Sequence, residues 1–301
     1  MQRFLRNALI VSAQLILLAV SVPSLGDEVS RKHHPWALFA PQSWREVRVF
    51  HEVFDKEGKV ADTGITETQT TLESVDESGV TLCVGESVWM VGKWLDRRQQ
   101  SVKQDFYGGD FGQDIAAKDL KGETVTIDGQ EISCQVREIR VDDPKTKRSE
   151  ISKLYFNNDV DPFILKRETK IVDPADGSVL SETVMVVDSL KMPYVVGEQA
   201  KIISVAHLRA TTKHARGTTF TLAYTSTEVP GGIVRQHTKE TDMDGRLVSR
   251  RVLELVDYGI ESPTDKTRRR LFQRRSRDPR LRSTQTDATE SSGLRPQPAA
   301  S

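Results

Sequence analysis

The chain has 301 residues, 37% of them hydrophobic and 29% charged, and its formal net charge at pH 7 is zero. That length supports a large core, as one big β domain or two smaller ones, and only two cysteines are present, too few for a disulfide-dense scaffold. The zero charge conceals a split: residues 262–301 carry ten Lys or Arg against four acids, so an acidic body, residues 27–261, precedes a basic tail.

In chain order, the first element is a three-part export signal over residues 1–26. Arg3 and Arg6 give a basic start, Ala8 to Val20 an apolar core, and Pro23, Ser24 and Gly26 a helix-breaking, small-residue end. The apolar core falls short of the roughly 20 residues a spanning helix needs, so cleavage near Gly26 is expected. The two arginines are not adjacent, as a twin-arginine signal requires, and no cysteine marks a lipid-attachment site. No second apolar run reaches membrane-spanning length, so no integral membrane segment is expected after cleavage.

The body reads as strand after strand. Glu46 to Phe54, Gly79 to Val84, Thr124 to Ile127, Ile132 to Val141 and Thr218 to Thr225 are rich in Val, Ile, Thr and aromatics near period two. Asp128-Gly129 marks a hairpin turn between two of them. The best helical pattern covers Asp114 to Leu120, with Gly122 as a C-cap.

Laying Tyr155 onward over Tyr224 onward reveals an internal repeat offset by 69 residues. Val160 meets Val229, Ile164 meets Ile233, Thr169 meets Thr238 and Asp173 meets Asp242; after one dropped residue Gly177 meets Gly245 and Val184 meets Val252. Each copy, about 122–189 and 190–259, holds a strand, a turn, a long strand, a Gly-containing hairpin and a long return strand. A further segment of the same long-hairpin character, Trp44 to Val75, turns around Gly58.

Thr183 to Val187 and Phe163 to Leu165 are apolar on both faces and need cover on each side. The fold class expected is therefore mainly β: a curved antiparallel sheet, as half-barrel or sandwich, built of long hairpins with little helix. Incomplete cover would turn the concave face into an apolar ligand cavity. After Glu261 the pattern collapses into polar residues and reads as disordered.

The run Val229 to Val234 (ValProGlyGlyIleVal), with the hairpin ending at Leu253 to Gly259 (LeuGluLeuValAspTyrGly), resembles the closing hairpin of uncharacterised exported planctomycete proteins. Gly122 to Cys134 is similar in kind. Such proteins resemble the LolA-like lipoprotein carriers, and that resemblance implies a strongly curved antiparallel sheet over an apolar cavity. It also implies lipid or lipoprotein acyl chains as partners. The carriers lid their cavity with helices, whereas helical pattern is scarce in this chain.

Catalytic signatures are missing. No Gly-x-Ser-x-Gly elbow occurs, no His-Glu-x-x-His, and no close Cys/His set. His33 and His34 read as part of an exposed N-terminal segment rather than a metal pair. Asp242-Met243-Asp244-Gly245 opens like a calcium loop, but no Glu closes it, so it reads as turn chemistry. Tyr107 to Asp114 is glycine-rich without a phosphate-loop ending and reads as a flexible loop. Cys83 and Cys134 sit in strands and could bridge in an oxidising compartment, or remain buried thiols. In the tail, Arg268, Arg269, Arg270, Arg274, Arg275 and Arg277 surround Leu271-Phe272, a composition that binds polyanions such as an anionic envelope surface; export disfavours nucleic acid. The function expected is a non-catalytic exported protein of the periplasm or exterior, without a cofactor, that binds a lipid or other apolar ligand. The alternatives are a secreted hydrolase whose site forms only in three dimensions, and an assembly module.

Overall fold

A computed structural model describes residues 34–77, 79–90, 93–96, 99–106, 114–143, 147–197 and 200–260. The segment expected to be an export signal, His33, most of the glycine-rich run and the basic tail lie outside these residues.

Fourteen antiparallel strands form one sheet: β1 (Trp44–Phe54), β2 (Val60–Val75), β3 (Gly79–Met90), β4 (Lys93–Asp96), β5 (Gln100–Asp105), β6 (Asp114–Ile127), β7 (Gln130–Asp143), β8 (Arg148–Phe156), β9 (Ile164–Val172), β10 (Val179–Val196), β11 (Lys201–His214), β12 (Gly217–Thr225), β13 (Ile233–Asp242) and β14 (Leu247–Gly259). The lateral order is β4-β3-β2-β1-β14-β13-β12-β11-β10-β9-β8-β7-β6, and β5 lies beside β4 on the same edge of β3. Each strand after β6 pairs with its predecessor, and the last one, β14, pairs with β1. The chain therefore makes one long jump, from β5 at one edge to β6 at the other.

That jump dictates the curvature. Eight residues, 106–113, separate the two strands, and at roughly 3.3–3.6 Å each they reach about 30 Å. A flat sheet of this order, at roughly 4.8 Å per strand, would hold its edges about 57 Å apart. The sheet must curl, and it does, without closing: among the described residues no ladder joins β6 to β4 or β5. The half-barrel is realised rather than the sandwich. Short β4 and the exposed Lys118, Asp119, Lys121 and Glu123 of β6 leave edges that resist pairing with another chain.

The segment expected to be helical, Asp114 to Leu120, is instead the first half of β6, paired from Asp114↔Asp142 to Leu120↔Val136. Local spacing offered a helix only one apolar side. As a strand the segment gains a full backbone ladder, half-buries Ala117 and Leu120, and sends Lys118 outward; tertiary pairing outweighs weak propensity. Gly122, expected as a helix cap, lies in the bulge between Leu120 and Glu123.

Two core clusters have matching membership. One holds Val125, Ile127, Cys134, Val136, Tyr155 and Leu165, with Val160 packed on it. The other holds Val196, Ile203, Val205 and Val234 with Tyr194 and Tyr224, and Val229 in the role of Val160. Counterparts such as Cys134 and Ile203, or Leu165 and Val234, stand 69 positions apart. A third cluster, Trp36, Ala37, Leu72, Val80, Leu82 and Phe106, seats residues 34–43 against β2 and β3. That segment is pinned further by Gly231 N donating to Pro35 O (2.8 Å) and by Arg45, which donates to Gly231 O (2.8 Å) beneath the Trp36 ring.

Gly217 opens β12 with a φ of +144°, and a Cβ there would stand 1.9 Å from Thr241 O. Gly217→Ala must strain the backbone and push the β12–β13 ladder apart. It is expected to cost about 2 kcal/mol and to lower the thermal midpoint by roughly 4–8 °C, read by thermal denaturation; an unchanged midpoint would refute the close approach.

Candidate functional site

Residues directly opposite in antiparallel strands share a face, so the registers sort the sheet into two sides. On one side Ala210 pairs with Met185 and Thr221, and Ala223 pairs with Gln236. Members of this side are deeply buried, Thr221 being 5% exposed. On the other side Phe220 and Leu222 are 36% and 40% exposed. Across β10–β13, where no second layer covers the sheet, the first side is the one buried by the curl and is the inner, concave one.

Hydroxyls cross the inner face from strand to strand. Ser152 (β8) is opposite Thr169 (β9), then Thr183 (β10), Thr212 (β11) and Thr219 (β12). Ser152 and Thr169 share a hydrogen bond of 2.9 Å, and Thr183 and Thr212 one of 2.8 Å. One row over, Thr221 and Thr238 are linked at 3.3 Å. Threonine suits a pleated strand and offers a hydroxyl without charge.

Arg167 on β9 lies in this face with its side chain 13% exposed. Its Nε donates to Thr169 (2.9 Å), and its Nη2 to Glu150 (2.7 Å) and Ser152 (2.9 Å). Burial pulls the guanidinium below its usual range, and Glu150 opposes that pull. Removing Glu150 alone would strand a buried cation.

A second charged group occupies β13, β14 and β1. The row Thr221, Thr238, Arg251, His51, Gly64 runs unbroken across five strands. Arg251 is half-buried, its Nε is buried with no hydrogen-bond partner, and among the described residues it forms no ion pair. Burial lowers it, and the carboxylate of Glu240 raises it from a distance. Glu240 itself accepts from Ser249 Oγ at 3.2 Å. The His51 ring lies over Gly64, whose missing side chain is what makes room: a Cβ there would fall 2.1 Å from His51 Cε1. His51 is pushed down by burial, drawn up by Asp62 and pushed down again by Arg251.

The residues singled out from the sequence fare differently. No disulfide joins Cys83, half-buried in β3, to Cys134, buried in β7, two strands far apart in the sheet order; Cys134 Sγ donates to Ile132 O at 3.5 Å, and burial raises its thiol. The Asp242 carboxylate is occupied by its own turn, accepting from Asp244 N (3.0 Å), Arg246 N (2.9 Å) and Arg246 Nε (3.0 Å). Among the described residues no group of three or more His, Cys, Asp or Glu could hold a metal ion. The six arginines of the tail lie outside the described residues. His34, expected in an exposed segment, is 1% exposed; it packs edge-on against Phe106 and accepts from Trp36 N at 3.3 Å. Phe106, distant in sequence, packs with Trp36 and turns the segment inward. Sequence reading missed the Arg167–Glu150 pair and the Arg251–His51 row, because both depend on strand registers.

No protein-family model and no curated protein sequence matches the chain. Among solved structures it is similar to a protein of Bacteroides fragilis described as exported and of YmcC-like fold: 10% identity, TM-score 0.26, covering 73% of this chain and 99% of that one. A protein of Parabacteroides distasonis described as a lipoprotein gives 14% identity and TM-score 0.24, covering 71% and 96%. A DUF1329-family protein of Desulfovibrio piger gives 11% identity and TM-score 0.30, covering 73% and 85%. Likenesses this distant transfer no role, and nothing in them bears on a planctomycete origin.

Burial holds the folded His34 pKa at about 4 against 6.5 for the free side chain. As pH falls below 6.5 the unfolded chain takes up this proton while the folded one does not. Stability is therefore full above pH 6.5 and drains as pH falls towards 4, by roughly 3 kcal/mol from this group. Urea unfolding at pH 7 and pH 4.5 should show a drop that His34→Asn largely removes; an equal drop in the variant would assign the acid sensitivity elsewhere.

Proposed function

We propose that this chain is a non-catalytic exported envelope protein that holds a lipid or other apolar ligand against the inner face of its curved sheet. One observation carries the reading: a single-layer sheet turns a broad inner face, with Met185, Val187, Ala210, Ala223 and Leu253 on it, toward its own concavity. The export signal over residues 1–26 supports placement in the envelope.

The same reading takes β6–β10 and β10–β14 as two copies of one unit that share β10. The matched core clusters support it, as do the paired hydroxyls Ser152–Thr169 and Thr221–Thr238 at the same offset.

Native mass spectrometry of protein purified from its own envelope, with lipid extraction alongside, should detect a bound acyl-chain species. Delipidated protein that takes up no lipid and no hydrophobic probe would overturn the reading. The basic tail is assigned the task of holding the protein at an anionic surface, up to about 1 kcal/mol per charge. A chain ending at Glu261 should lose most of its sedimentation with vesicles containing phosphatidylglycerol; unchanged sedimentation would remove the tail from that task.

A further inference from the structure

Resting on that reading, we infer that Arg251 is the head-group site of the inner face, and that the ligand is an acyl-chain amphiphile with an anionic head, a carboxylate or a lipid phosphate.

Two of the guanidinium groups on the inner face, Arg167 and Arg251, differ in one respect. Arg167 is filled: Glu150, Ser152 and Thr169 take its donors. Advancing each of these positions by 69 turns Glu150 into Thr219, Ser152 into Thr221, Arg167 into Gln236 and Thr169 into Thr238. The local pattern survives without its charges, since Gln236 Nε2 donates to Thr238 Oγ1 at 3.0 Å where Arg167 donated to Thr169. The cation in this half is instead Arg251, one strand along, opposite Thr238 and His51.

Arg251 has no such partners. Its Nε is buried and unpaired, a state that costs free energy until an acceptor arrives. A guanidinium offers a planar fork that carboxylate and phosphate oxygens fit two at a time. Thr238 and the imidazole of His51, directly opposite it on either side, add donors. The nearest carboxylates are Glu240 and Asp62, diagonal to Arg251 and His51 respectively; Glu240 acts on Arg251 without touching it.

The surroundings specify the rest of the ligand. Two residues along each strand from the charged row stand Ala223, Leu253 and Val49, on the same face and mutually paired through Gln236; all three are buried. In the opposite direction stand Thr219, Glu240, Ser249 and Asp62, with Val53 the one apolar member of that row. A head at Arg251 would thus lie between a polar end and an apolar floor about 7 Å away, which suits an amphiphile rather than a free anion or a hydrocarbon.

The test uses delipidated full-length protein and two fluorescent probes of equal chain, cis-parinarate and its uncharged methyl ester. Wild type should bind the acid at least tenfold more tightly than the ester. Arg251→Gln should erase that preference and leave ester binding within twofold, while Arg251→Lys, which keeps charge without the fork, retains part of it. Unchanged ester binding certifies that the variants fold. Persistence of the preference in Arg251→Gln would overturn the assignment while the lipid-binding reading stands. If neither probe binds wild type, both fall. Arg251-dependent binding of inorganic phosphate with no gain from a chain would also overturn the assignment to an amphiphile.

Discussion

Everything in this molecule depends on one covalent constraint: the chain must pass from one edge of its sheet to the other in eight residues. A sheet of thirteen lateral positions satisfies that only by curling, and curling gives a single layer an inside. Burial on one face, exposure of Phe220 and Leu222 on the other, and the enclosed rows of hydroxyls and arginines all follow from that geometry rather than from a second sheet or a layer of helices.

The inner face divides its polar groups between self-sufficient and incomplete ones. Hydroxyl pairs across β8–β9, β10–β11 and β12–β13 satisfy themselves, and Arg167 is satisfied by Glu150 and its neighbours. Such groups stiffen the curve. Arg251 and His51, by contrast, sit among them without donors spent, and Gly64 clears space for the imidazole. A structural role would have been met more cheaply by another threonine.

How much of this was legible in the sequence follows from the range of each interaction. Period-two apolar spacing and turn residues such as Asp128-Gly129 and Asp242 to Gly245 act locally, so strands and hairpins could be read directly, along with the curved β class. Asp114 to Leu120 misled because its local spacing is ambiguous and its partner, β7, decides its state. The choice between half-barrel and sandwich was open because it turns on β1 meeting β14, which joins residues about 200 positions apart. The Arg251–His51 row uses that same ladder and was invisible for the same reason. Arg167 and Glu150 are close in sequence, yet nothing in a one-dimensional pattern says that both point inward.

The ladder between β1 and β14 also fixes how the molecule meets mechanical load. Trp44, the first residue of β1, pairs with Gly259, the last of β14, so once residues 34–43 are stripped from β2 and β3 a pull on the two ends of the chain bears on that pair. Force then opens the ladder like a zipper, one rung at a time, instead of shearing all its rungs together. A translocating or unfolding machine that grips either terminus would find the most yielding route into the sheet between β1 and β14, and would split the curve into a five-stranded and a nine-stranded piece before any hairpin had to come apart.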